Sequence, residues 1–372
     1  MAQKIDVWHF ARPDLAQGYL EQFQLGLSSA RGLFARRRMG KTEFLTKDLL
    51  PLAERTGYLV AYVNLWDDRP APETALVAAL AEAVEPVGFK NFLKKLTPTP
   101  SKVKASAGVK GIAEGTVEAE FKSGAAGKSL RSVLKVFDRR GKTLLLVIDE
   151  AQVLAKDVHA DFAHALRAAL DVRKESVKVV FAGSSETTLR KMFASPTAPF
   201  YNWAPLEPFP LLDEEFVAFL VKQMNAIAKN QLTLKQGNAA FAALNRTPEF
   251  FRRFIGQYLT NPFDGVPAAI EDTQRKVFSD VHFVRAWKEL NPADSAVLWL
   301  IAHGQTELHG AEALARIKAH TGKVATKNTV GHALRRLQEA NIVTRLALGD
   351  YQFEDEAFGE FVRRQHSGLS GL

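Results

Sequence analysis

The segment Leu144-Leu-Leu-Val-Ile148 is a run of five apolar residues, preceded by Gly141 and followed at once by the adjacent carboxylates Asp149 and Glu150. A run this short and this continuous cannot be one face of an amphipathic helix; it reads as a strand buried on both sides. Tyr58-Leu-Val-Ala-Tyr-Val-Asn-Leu65, between Gly57 and Asp67-Asp68, and Val177-Lys-Val-Val-Phe-Ala182, ahead of Gly183, have the same character. Helical spacing over 42–54 and 160–173 separates them. Doubly buried strands alternating with helices predict an α/β core with a parallel sheet.

After Pro196 the pattern changes. A connector holding Pro199, Pro205, Pro208 and Pro210 gives way to helices beginning near Asp213 and Thr247, an all-helical second unit. A break at 261–267 precedes helical stretches at about 293–303, 309–320 and 327–340. These are followed by two apolar strands with Gly349-Asp350 between them, a hairpin signal. Three helices and a hairpin predict a winged helix, with 328–338 as its recognition helix. The expected division is a core over 1–205, a helical lid over 206–275 and a winged-helix domain over 276–372.

Composition narrows the function classes. The 372 residues include no cysteine, so neither a thiolate metal site nor a disulfide framework can form. The histidines show no metal-ligand spacing. The first 14 residues mix Lys4, Asp6, His9 and Arg12 with apolar residues, and no apolar run reaches membrane-spanning length. The expectation is a cytoplasmic protein with no membrane partner. The net charge is +8, and residues 89–142 alone carry 13 Lys/Arg against four acids. That basic insert offers a surface for a polyanion. Within it, 101–128 alternates small apolar and polar residues and reads as a hairpin. Residues 285–372 hold 11 basic and 10 acidic residues, so the winged helix has little charge bias.

Three motifs carry chemistry. Ala35-Arg-Arg-Arg-Met-Gly-Lys-Thr42 follows the short apolar Gly32-Leu33-Phe34 and opens a helix. In such a loop the backbone N–H groups at a helix start hold phosphates, a lysine neutralises their oxygens and a hydroxyl ligates Mg²⁺. The candidate nucleotide contacts are Arg37, Arg38, Met39, Gly40, Lys41, Thr42 and Glu43. Ala35 stands where a glycine is usual, which matters only if that position needs positive φ. Second, Asp149 at a strand end can hold a Mg²⁺ water shell, so the candidate metal residues are Thr42 and Asp149; Glu150 beside it can orient or deprotonate an attacking water. Third, Phe181-Ala-Gly-Ser-Ser185 ends the next buried strand and presents a hydroxyl.

Beyond that strand, Arg190 and Lys191 could supply charge to a transition state, in cis or across a subunit boundary; a solvated helix face explains Arg190 equally well. Thr247 and Pro248 read as the cap and first residue of a helix that carries Arg252 and Arg253 one turn on. Either arginine could reach the phosphates. Gly124-Ala-Ala-Gly-Lys-Ser129 imitates a second phosphate loop, but it has Lys122 at the first-glycine position and follows no buried strand.

The order of these pieces resembles the AAA+-like P-loop ATPases of the archaeal-ATPase and STAND group, which are related to origin-recognition, Cdc6-like proteins. The resemblance is carried by 36–45, 60–66, Ile148-Asp-Glu-Ala-Gln152, Ala182-Gly-Ser-Ser185, Pro199-Phe-Tyr201 with Pro208-Phe-Pro-Leu211, and the Thr247-Pro248 helix. It implies a parallel-sheet P-loop core, a helical lid and a C-terminal winged helix. It also implies Walker roles for Lys41, Thr42, Asp149 and Glu150, the sensor-1 position for Ser184 and the sensor-2 role for Arg252 or Arg253. The family usually has proline where Arg36 stands. Trp8-His-Phe10 would pack on adenine or cap the core.

The function expected is an ATP-binding, Mg²⁺-dependent ATPase acting as a molecular switch. Lys41, Glu150, Ser184 and Arg190 are its candidate catalytic residues, and a DNA or protein partner is engaged through the basic insert or the winged helix. A homo-oligomer stays open. The alternative is a non-catalytic scaffold that bound nucleotide merely stabilises. A helicase reading of Asp149-Glu-Ala-Gln152 lacks a second RecA-like half.

Overall fold

Strands β1 (Ala30–Phe34), β2 (Leu59–Asn64), β3 (Leu144–Asp149), β4 (Val177–Gly183) and β5 (Leu206–Pro208) pair in parallel as one sheet of order β2-β3-β4-β1-β5. The computed structural model describes residues 6–68, 70–84, 123–228, 230–278, 281–340, 342–347 and 350–365. Every residue of β3 and β4 is buried, which is why their sequences are continuously apolar and not alternating. One face of the sheet is covered by α1 (Pro13–Gln24) and α2, which runs as Lys41–Phe44, a π turn Leu45–Leu49 and Leu50–Arg55. The other face carries α3 (Pro72–Val84), α4 (Ser123–Asp138), α5 (Ala160–Asp171) and α6 (Glu186–Ala194). The carboxyl ends of β1, β3 and β4 therefore open at one rim, the place where parallel sheets bind ligands.

Three expectations are corrected here. The proline-rich connector contains β5, whose three residues bond to β1 at the sheet edge, where a terminal proline is tolerated. A division after 205 would part that strand from the sheet it completes. Residues 123–128, expected in a hairpin, open α4, whose Leu130, Val133, Leu134 and Phe137 are buried in the core. The Gly124–Ser129 segment is thus helical and not a phosphate loop. The rest of the expected hairpin, and the basic run through Lys122, lie outside the described residues.

The second half is helical: α7 (Glu214–Asn225), α8 (Leu234–Ala243), α9 (Pro248–Thr260), α10 (Gly265–Phe278), α11 (Val281–Glu289), α12 (Pro292–Ala302), α13 (Ala311–Thr321) and α14 (Lys327–Glu339). The hairpin β6 (Val343–Ala347) and β7 (Asp350–Phe353) and a final α15 (Glu356–Arg364) follow. Asp213 caps α7 by accepting from the Glu215 amide. Thr247 occupies the cap position of α9, but its hydroxyl donates to Asn245 O instead. A division at 275/276 would cut α10. The lid helices and the winged helix share one continuous apolar core, running from Phe216 and Phe254 through Val266 and Ala269 to Leu298, Leu334 and Phe358. Phe10 joins that core from the N-terminal segment, edge-on to Phe216 and Phe219 with centroids 5.9 and 5.5 Å away. Among the described residues no helix is long and apolar enough to cross a membrane.

Candidate nucleotide site

The loop between β1 and α2 is anchored at its start by the Ala35 amide, which donates to Gly183 O at 3.2 Å. Positive φ falls not at Ala35 but at Arg38 (67°) and Gly40 (84°), so a side chain at the usual glycine position costs nothing here. Arg38 bears the strain of the left-handed region, which persists only where surroundings over-determine it. They do: Arg38 Nη1 donates to Asp355 Oδ1 and Oδ2 at 2.6 and 2.7 Å, Nε lies 3.5 Å from Glu249, and the guanidinium sits over Phe250. Gly40 in turn caps α2, leaving the amides of its first turn directed at the rim.

At the end of β3, Asp149 is fully buried and forms an ion pair with Lys41, itself 6% exposed. Thr42 Oγ1 donates to Asp149 Oδ2 at 2.6 Å, and Tyr62 OH does so at 3.3 Å. Burial pushes the Asp149 carboxyl up, but the Lys41 ammonium and the hydrogen bonds from Lys41, Thr42 and the Glu150 amide outweigh it and hold the group below its ordinary value. Burial, with Asp149 next to it, raises the Tyr62 phenol, so this hydroxyl stays a donor.

Glu150 adopts φ 54°, another left-handed non-glycine, which turns its carboxylate away from the strand. Ser184 Oγ donates to Glu150 Oε2 at 2.8 Å, and Gln152 Nε2 donates to the same oxygen at 2.5 Å. Gln152 reaches Ser184 as well, at 3.3 Å. Glu150 is thus held by a closed triangle built from the end of β3, the turn after it and the end of β4.

These elements border a cavity of about 410 Å³. Arg37, Arg38, Met39, Gly40, Lys41, Thr42 and Glu43 line it from the loop side, Glu150 and Ser184 from the strand ends, and Pro248 and Arg252 from α9. Trp8, His9, Phe10 and Arg12 close it from the N-terminal segment. Six Lys/Arg side chains face four carboxylates, so the cavity favours an anion. Arg37 stacks over Trp66 at 4.6 Å. Arg252 Nη1 donates to both Glu43 oxygens at 2.9 and 3.1 Å. Burial raises the Glu43 carboxyl, and the Lys47 hydrogen bond with the Arg252 charge brings it down below its ordinary value.

Three of the expected residues do not line the cavity: Asp149 is fully buried against Lys41 and Thr42, and two arginines face outward. Arg190 is about half exposed, pairs with Glu186 one turn earlier and lies over the Phe34 ring. Arg253 pairs with Glu249 on its own helix and is equally exposed. Helical geometry separates neighbours by about 100°, so only one of Arg252 and Arg253 can face inward. Gln152, Asp48 and Asp355 are residues that motif reading did not assign. For Asp48 there was a signal, a carboxylate within the apolar stripe of Phe44, Leu45 and Leu49; for Asp355 there was none, since its partner is 317 residues away.

No family model matches the sequence, and no curated protein matches it. Solved structures do. A Walker-type ATPase of Pyrococcus abyssi superposes with a TM-score of 0.66 at 18% identity, covering 96% of this chain and 99% of that one. The ORC2 protein of Aeropyrum pernix superposes at 0.53 in its ADPNP-ADP complexes, with 16% identity over 94% of this chain and 91% of that one. In its ADP form the TM-score is 0.51, at 15% identity over 96% of both chains. Strand order, lid and hairpin-bearing C-terminal unit together give this chain the fold of those archaeal proteins, an AAA+-like P-loop core followed by a helical lid and a winged helix.

Proposed function

We propose that the chain is a Mg²⁺-dependent ATPase of the STAND-like switch type, which couples its nucleotide state to the position of the lid and winged helix and through them to a DNA or protein partner. The observation that carries this reading is the convergence of two motifs 107 residues apart, with Thr42 Oγ1 2.6 Å from Asp149 Oδ2 beside the Lys41–Asp149 pair. The solved ORC2 relatives in complex with ADPNP and ADP are in keeping with it.

The donor set fits a triphosphate and its metal ion. Lys41 Nζ, the α2 amides and Arg252 would hold phosphate oxygens; Thr42 Oγ1 and Asp149 would hold the cation, which would neutralise charge on those oxygens. Lys41 exchanges one anion for another in this step, leaving the Asp149 carboxylate for phosphate. Glu150, fixed by Ser184 and Gln152, accepts a proton from the attacking water at its carboxylate. Arg38 and Glu249 lie where the loop meets the lid, and Asp355 ties the loop to the winged helix. Because lid and winged helix share a core, they would turn as one body. The basic stretch over 89–142 supplies phosphate-backbone contacts, whose binding would fall steeply with salt.

Turnover decides. Wild type should hydrolyse ATP only with Mg²⁺, and Glu150→Gln should lower the rate about 10²–10⁴-fold while still binding ATP. Wild type that retains ATP tightly without hydrolysing it would instead make the chain a nucleotide-stabilised scaffold.

A further inference from the structure

Arg37 is exposed, whereas Arg36 and Arg38 on either side of it are half-buried. Its guanidinium lies 4.6 Å above the Trp66 ring. Trp66 is a fixed platform: it stands just past the end of β2, its amide donates to Asn64 Oδ1 at 2.9 Å, and its side chain packs on the core beneath the sheet. In the sheet order β2-β3-β4-β1, two strands separate the loop that carries Arg37 from the strand that leads to Trp66, a span of about 14 Å at roughly 4.8 Å per strand. Glu150 and Ser184 follow directly on those two strands and line the same cavity as Arg37 and Trp66. The contact therefore carries a guanidinium across the rim, in front of the carboxylate that the proposed reaction turns on water.

Neighbouring cations are committed elsewhere. Lys41 pairs with Asp149, Arg38 with Asp355 and Arg252 with Glu43, while Arg190 and Arg253 pair on outward faces. Arg37 has no carboxylate partner among the described residues. A cation over a ring at an exposed site is held more weakly than one bonded to a phosphate oxygen, so Arg37 leaves its resting place at little cost.

We infer that Arg37 supplies, from within the same chain, the positive charge that stabilises the transferring phosphoryl group. The inference rests on the ATPase reading above. The water oxygen bonds to the terminal phosphorus as the bond from that phosphorus to the bridging oxygen breaks; the electron pair stays on the ADP oxygen, and the water proton goes to Glu150. Charge spreads over the equatorial oxygens and the leaving oxygen in this step. The planar fork of a guanidinium donates to two such oxygens at once, which an ammonium cannot do in the same geometry. Trp66 is then a parking place that holds Arg37 at the rim until phosphate arrives.

The test uses the full chain with Mg²⁺ and ATP. Arg37→Ala, a change at an exposed position, should lower kcat about 10³-fold, as removal of a transition-state arginine does. Its affinity for a non-hydrolysable ATP analogue should stay within about threefold of wild type. Wild type should bind ADP with aluminium fluoride, a mimic of the phosphoryl group in transfer, about a hundredfold more tightly than Arg37→Ala does. Arg37→Lys should keep less than about a tenth of the wild-type rate, because it returns the charge without the fork. Turnover per chain should not change on dilution. An Arg37→Ala variant with wild-type kcat, a loss confined to ATP affinity, or turnover per chain that falls on dilution overturns the inference and leaves the ATPase reading standing. Failure of wild type to hydrolyse ATP overturns both.

Discussion

Arg38, in the loop that opens α2, and Asp355, the cap of α15, are joined by hydrogen bonds of 2.6 and 2.7 Å across 317 residues of sequence. The pair ties the cap of α15 to the strained residue of the β1–α2 loop, which Glu249 and Phe250 also hold. Asp355 also accepts from the Ala357 amide at 3.0 Å. Asparagine caps a helix as well as aspartate does, so Asp355→Asn removes the charge and keeps the cap.

With Asp355 uncharged, Arg38 keeps only the longer Glu249 contact at 3.5 Å and is freer to serve an anion in the cavity. Asp355→Asn should therefore tighten ATP binding by about fivefold, the equivalent of roughly 1 kcal/mol for a partly exposed ion pair. It should also broaden the distance distribution between fluorophores on the core and on α15. Calorimetry and single-molecule energy transfer read the two effects; an unchanged affinity with an unchanged distribution would remove the latch.

The arginines of α9 separate cleanly. Arg252 lines the cavity and pairs with Glu43, whereas Arg253 pairs on the outer face with Glu249. Arg252→Ala should weaken ATP binding about tenfold or more, the loss of a charged hydrogen bond to phosphate. Arg253→Ala and Arg190→Ala should leave it within about twofold, as solvated pairs do. A nucleotide titration of the three variants checks the order, and an Arg253 effect equal to that of Arg252 would contradict the placement.

What motif reading recovered depended on distance along the chain. The apolar runs at Leu144 and Val177 announced central strands, because burial on both faces leaves no polar position to disguise them. That Lys41, Thr42, Asp149, Glu150 and Ser184 fall close together was legible because β1, β3 and β4 end at one rim, with Lys41 and Thr42 opening the helix after β1. The edge strand β5 was hidden by its three-residue length and its prolines, and α8 by the glycine and small residues in it. Asp355 and Arg38 could not be paired by any local rule. Arg252 and Arg253 were chemically equivalent on paper, and only the helix rotation distinguishes them.

Gly183 exposes a different constraint. A Cβ there would lie 2.3 Å from Gln152 Oε1 and 2.7 Å from Leu189 Cδ1. The glycine lets Gln152 reach Glu150, so Gly183→Ala should displace the amide that fixes the Glu150 carboxylate. Overpacking of this kind destabilises by about 1–3 kcal/mol. On the proposed ATPase reading the consequence should be a fall in kcat with little change in KM, since Lys41, Thr42 and Arg252 are untouched; Gln152→Ala, which lacks the clash, should reproduce the kcat effect with a smaller loss of Tm. A matching drop in ATP affinity would argue against it.

The Asp149–Lys41 pair sets an acid dependence whose sign follows from the geometry. The folded state holds the Asp149 carboxyl below the usual 3.8, so the proton binds more weakly there than in the unfolded chain. Its contribution to stability is complete above that usual value and is lost as pH falls through the lower, folded one. The urea midpoint of wild type should therefore exceed that of Asp149→Asn by a constant margin between pH 5 and 7, read against about 3.9 for an unperturbed aspartate. The margin should shrink below 3.8. Lys41→Met leaves the buried carboxylate without its cation and should cost about 3–5 kcal/mol at neutral pH. Because the uncompensated carboxyl then titrates upward, that variant should begin to recover relative to wild type as the solution is acidified. A margin that widens on acidification, or a Lys41→Met variant as stable as wild type at pH near 7, would show that the ion pair is not what keeps Asp149 charged in the core.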